Sequence, residues 1–212
     1  MEFSVDVLDA PPVEQLGVLV LDGSGAMAEA GPNAIAMGEE VNLAVQDLLA
    51  RLKASRFKES LYLAIITFDT SVALKVPPTR VIHLDQRGDY NPLHGHGGGA
   101  AIGEALDVAG RLAKDFIDVR NAARADRHAS ANIVLLTKGG WHTAGPDPAA
   151  VVSRIRKGRH SIRICCAVGR EVADLERLEL RRLVADPLDV VQGYDSDDLL
   201  RLFECELGEG EG

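Results

Sequence analysis

Aromatic residues are scarce in this sequence: one Trp, three Tyr and five Phe among 212 residues. Aliphatic side chains and Ala must therefore fill the core, and a hydrophobic content of 46% supplies them. No run approaches about 20 consecutive apolar residues, so nothing reads as a membrane-spanning helix. The opening "MEFSVDVLDAPPVEQ" is acidic and does not read as a signal peptide. Positive charge is also short, with 23 Lys and Arg against 32 Asp and Glu and a formal charge of −9. That balance weighs against a nucleic-acid binder, which needs clustered basic residues, and it tolerates cationic partners. Cysteine is limited to Cys165, Cys166 and Cys205. Neighbours on a strand point to opposite faces, so Cys165 and Cys166 are not expected to bridge. An odd count without a secretion signal suits reduced thiols in a cytoplasm, and the plainest role for all three is as small apolar fillers.

What is present is an alternation of strand and helix signals. Buried strands are expected over 16–21 ("LGVLVL"), 60–68 ("SLYLAIITF"), 131–137 ("ANIVLLT") and 161–169 ("SIRICCAVG"), with a short last one at "DVVQ". The segment "SVALKV" reads as an antiparallel edge strand, turned back by Asp69-Thr70. Helices are expected from Pro32 to about Lys53, from Ile102 past Ile117, from Pro148 to near Gly158, over 173–184, and from an N-capping Ser196. Such alternation predicts one doubly wound α/β domain over 15–207. Its sheet should be mostly parallel, with about six strands and helices on both faces. Residues 1–14 and the tail 208–212 read as frayed ends. Ligands of such sheets bind at the carboxyl ends of the strands.

Three of those ends carry unusual loops: "DGSGAM" from Asp22, "HGHGGGAA" from His94, and "TKGGWHT" from Thr137. In that order they resemble the von Willebrand factor A domain family, with closest likeness to bacterial intracellular members encoded near tellurium-resistance genes. The resemblance spans roughly 16–206. It implies a metal-ion-dependent adhesion site built from Asp-x-Ser-x-Ser, a Thr in a Gly-rich loop, and the Asp of a "TDG" loop. The cation of that site is typically completed by a carboxylate from a partner protein.

Here the pattern is half kept. Asp22 and Ser24 remain, but Ala26 stands at the second Ser position, Ala100 at the Thr and Lys138 at the Asp. Mg²⁺ wants near-octahedral hard oxygen ligands, whereas Lys offers three donors and no acceptor. The expectation is a degenerate site that holds no metal and needs no cofactor, with Lys138 paired to Asp22 in the cation's stead. Trp141, His96 and His142 sit in the same loops as candidate interface residues. With His94 and Asp22, the two histidines also leave open a transition-metal site, although their spacing matches no standard zinc motif.

"HGHGGGAAIGE" lacks the Lys-Ser/Thr ending of the phosphate loop, the glycine spacing of "DGSGAMAEAG" does not fit the dinucleotide fingerprint, and "LDGSGAM" lacks the Gly-x-Ser-x-Gly elbow of hydrolases. The leading expectation is thus a non-enzymatic, cytoplasmic module that binds another protein and touches neither nucleic acid nor membrane. The resemblance adds a scaffold role in stress assemblies. Two alternatives stay open: a domain that still binds a divalent metal through altered ligands, and an enzyme on a doubly wound sheet.

Overall fold

A computed structural model describes residues 14–94, 97–123, 128–139, 145–158, 160–169, 179–194 and 196–204. Six strands form one sheet: β1 (Glu14–Asp22), β2 (Leu61–Phe68), β3 (Val72–Arg80), β4 (Ala129–Thr137), β5 (Ile162–Val168) and β6 (Val190–Gln192). Their order is β3-β2-β1-β4-β5-β6. All neighbours are parallel except β2 and β3. The expected fold class and antiparallel edge are therefore present. β3 runs further than "SVALKV" and includes Pro77 and Pro78, opposite a register shift between Leu63 and Ile65 of β2. An edge position and a bulge are where a sheet accepts proline.

Helices α1 (Met37–Ala54), α2 (Ile102–Ala123), α3 (Pro148–Arg156) and α4 (Ser196–Glu204) cover the sheet. β1, β2 and β4 are buried along their whole length, as strands covered on both faces must be. Alternate residues serve different cores. Val18, Val20, Ile66, Ile133 and Cys166 pack with α2 and α3. Leu19, Leu21, Ile65, Val134 and Cys165 pack with α1 and α4. Cys165 and Cys166 thus fill opposite cores, as expected, and burial pushes the Cys166 thiol well above its ordinary range. Cys205 lies outside the described residues.

Few aromatics means close approach by small residues. Ala105, Ala109 and Ala113 put α2 directly on the sheet. On the other face the ring of Phe203 lies over Gly17, where a Cβ would stand 1.9 Å from its Cε1.

One expected helix start is corrected. α1 begins at Met37 rather than Pro32, because Gly31 to Ile35 form a turn. There the Gly31 N–H donates to Ile35 O at 2.7 Å and Ala34 adopts φ 60°. α4 starts at Ser196 as expected, and the Ser196 hydroxyl donates to Asp47 on α1. Most of the expected helix over 173–184 lies outside the described residues.

Candidate functional site at the carboxyl end of the sheet

The strand order reverses between β1 and β4, so the loops leaving these strands diverge and open a crevice at their carboxyl ends. Asp22 is the last residue of β1, and parallel pairing of Leu21 with Leu136 brings Thr137 beside it. Asp22 is 2% exposed. Its Oδ1 accepts the Ser24 N–H at 2.8 Å and its Oδ2 accepts the Thr137 hydroxyl at 2.6 Å. The Thr137 oxygen accepts the Gly139 N–H at 3.1 Å in turn. Behind them the buried Tyr194 hydroxyl donates to Thr137 O at 2.8 Å and lies 3.9 Å from Met27 Sδ. Burial pushes the Tyr194 phenol far above its ordinary range, and the charges of Asp22 and Glu40 add to this.

The glycine-rich loop docks against the first loop and against β2. Gly98 O accepts the Gly25 N–H at 3.1 Å. Asp69, just past β2, accepts the Ala101 N–H on its carbonyl at 2.6 Å. Asp69 Oδ1 takes the Ser71 N–H at 2.8 Å, and Oδ2 faces the Gly98 N–H at 3.4 Å. A side chain on Gly98 would meet the Thr70 methyl at 2.8 Å, so glycine is what lets this loop close down. Ala100 is buried at the edge of the core, and Ala26 is half-buried on a 3-10 turn over Gly25–Ala28.

Asp22, Ser24, Ala26, Ala100 and Lys138 therefore share one end of the sheet, but the expected Asp22–Lys138 pair does not form. The Lys138 ammonium donates to Glu29, just past the 3-10 turn. The reason is desolvation. Both Asp22 oxygens are already satisfied inside the protein, and bringing an ammonium to them would strip its water. Glu29 offers a carboxylate whose side chain is 64% exposed, so Lys138 stays near solvent.

Trp141, His96 and His142 lie outside the described residues. His94 does not join the crevice; its Nδ1 is 2.6 Å from Asp89 Oδ2 on an exposed loop. That contact holds the Asp89 carboxyl below its ordinary range.

Glu29, Asp69 and Tyr194 were not anticipated. Asp69 follows "LAIITF" as Asp22 follows "VLVL", and that repeated grammar was the available signal. Beside the crevice a cavity of about 320 Å³ opens between the loop after Gly25–Ala28, the first turns of α1 and the ends of β4, β5 and β6. Lys138, Glu29, Glu40 and Tyr194 line it.

Around Asp22 the side chains depart from the family's ligand pattern. Asp22 is committed to two donors, Ala26 and Ala100 present methyls, and an ammonium stands at the third loop. Among the described residues no group of three or more His, Cys, Asp or Glu gathers in one place.

Solved structures that share the fold include three from bacteria. A pilus adhesin from Lactobacillus rhamnosus GG is 12% identical, with a TM-score of 0.67 over 92% of this chain and 30% of that one. A von Willebrand factor type A protein from Catenulispora acidiphila is 18% identical, with a TM-score of 0.65 over 90% of this chain and 42% of that one. The vWF domain of a type V pilus tip protein from Porphyromonas gingivalis is 11% identical, with a TM-score of 0.67 over 96% and 99%. The chain thus spans well under half of the first two proteins. No curated protein sequence matches it. The profile of the von Willebrand factor type A domain matches residues 18–202, the strand order and crevice agree with it, and the chain belongs to that family.

Proposed function

We propose that this chain is a non-enzymatic protein-binding module that works through the loops at the carboxyl end of its sheet, without a divalent cation. Domains of this family commonly mediate protein–protein interaction, and two of the neighbours are described as a pilus adhesin and a pilus tip protein. The observation that carries the metal-free reading is the state of Asp22. Its carboxylate is held by Thr137 and Ser24, while Lys138 takes the place of an acidic ligand and pairs with Glu29. An intracellular scaffold role rests on the likeness of the three loops to the tellurium-resistance-associated members. Among the described residues no helix is long and apolar enough to cross a membrane.

The test is affinity capture of a partner from the native host, followed by reconstitution with the purified partner. Binding is expected to persist in a chelator and to be lost on Ala28→Arg, which adds bulk and charge at an exposed position of the first loop. Binding that requires Mg²⁺, or that ignores the loop substitution, overturns the proposal.

A further inference from the structure

We infer that the cavity beside Lys138 receives a basic side chain, Lys or Arg, from a partner protein. The inference rests on the binding role proposed above and names the chemistry of one contact. At about 320 Å³ the cavity falls at the small end of ligand pockets, a size for one long side chain rather than a helix. Ile35, Leu43 and Ala44 give it apolar walls, and Leu43 stands 50% exposed at its edge. Such walls match a methylene stem, which Lys and Arg lay along apolar surface while keeping the charge in a polar place.

The charges decide the sign of the occupant. Three carboxylates, Glu29, Glu40 and Asp47, line the cavity against one cation, Lys138. Lys138 is already covered by Glu29, and Asp47 is engaged by Arg51 at 3.2 Å and by Ser196. Glu40 is different. Its Oε1 accepts only the neutral Asn33 N–H, at 3.1 Å, and among the described residues no cation pairs with it. An acidic ligand would have to displace Glu29 and then face Glu40 and Asp47. A basic one meets a carboxylate with no cationic side-chain partner among the described residues, beside apolar walls, on a chain of net charge −9. Opposite charges at a partly desolvated site attract far more than in open water.

The test uses blocked pentapeptides of Gly and Ser with Arg, citrulline or Glu at the centre, titrated into the full chain by amide NMR at low and high salt. Citrulline keeps the shape of Arg and removes the charge. The Arg peptide is expected to shift the Gly193 and Tyr194 signals saturably, with citrulline at least ~10-fold weaker and Glu inactive. Glu40→Gln, which keeps the Asn33 acceptor, should weaken the Arg peptide by a similar factor. Lys138→Met should strengthen it, because Glu29 is released and a repelling charge removed. This variant gives the sign test even if Glu40→Gln perturbs folding. Equal binding of Arg and citrulline, no saturable shift, or Glu-peptide binding that Lys138→Met abolishes would each overturn the inference. A reconstituted partner that binds through the loops yet ignores Glu40→Gln overturns it while leaving the binding role intact. Saturable Arg binding with no loop-dependent partner overturns the role alone.

Discussion

Thr137 donates its hydroxyl to the Asp22 carboxylate at 2.6 Å, across the boundary where the strand order reverses. Both residues are at most 2% exposed, so neither has water to fall back on. Thr137→Val keeps the shape and removes the donor. It should cost about 1–3 kcal/mol, the penalty for an unsatisfied buried group. Urea denaturation measures this directly. Thr137→Ser should recover most of the loss; if Val and Ser behave alike, the hydrogen bond is not what matters there.

The metal-free reading predicts a repair. Ala26→Ser, Ala100→Thr and Lys138→Asp together should create an Mg²⁺-dependent rise in Tm, worth about 2.7 kcal/mol at a hundred times the dissociation constant. Wild type should show no saturable rise beyond a matched monovalent salt. Restoring the two hydroxyls alone should do little, because the ammonium still stands at the third loop. A triple variant that folds yet binds no divalent ion would show that the loops have lost the geometry.

Gly17→Ala should destabilise by roughly 1–3 kcal/mol, since overpacking a closed core forces side chains from their rotamers. The nearest clash is with Phe203, whose ring atoms lie 1.9–3.0 Å from the added Cβ. Adding Phe203→Leu should therefore cost less than the two single changes summed, a coupling expected of residues in contact. Additive losses in denaturation curves would contradict the packing of α4 on β1.

Asp47 links α1 to the start of α4. The Ser196 hydroxyl holds its carboxyl below the ordinary 3.8; burial opposes this, and Arg51 lowers it further. A carboxylate depressed in the folded state lends stability above its unfolded pKa and loses it as pH falls through the folded value. Ser196→Ala should accordingly lower Tm near neutral pH, and the gap from wild type should close below pH 3.8. A gap that widens on acidification would reverse the sign.

The fold was legible because the signals were local and strong. "VLVL", "LAIITF" and "NIVLLT" are short, β-branched-rich apolar runs that suit strands covered on both faces, and helical patterns separate them. The pairing of Lys138 was not legible. Spacing put Asp22 and Lys138 at one end of the sheet, but which carboxylate an ammonium chooses depends on desolvation and on acceptors already filled. Glu29 carries no pattern that marks it as the partner. Tyr194 was equally hidden, because it reaches Thr137 from a distant strand end. The start of α1 failed for another reason. Pro32 is a good first helical residue, yet Gly31 and a left-handed Ala34 close a tight turn around it.

Pro77 and Pro78 on β3 have a consequence for how this molecule behaves in a crowd. Edge strands are templates, and a free ladder of N–H and C=O groups invites a second chain to extend the sheet. Here two consecutive residues offer no N–H, and Lys75 and Arg80 flank them with charge. A strand from a second copy would meet a gap in the ladder and two cations beside it. The one exposed Leu on β3, Leu74, is therefore set in an edge that cannot zip. Growth of the sheet from molecule to molecule is disfavoured on this side, where the prolines interrupt the ladder.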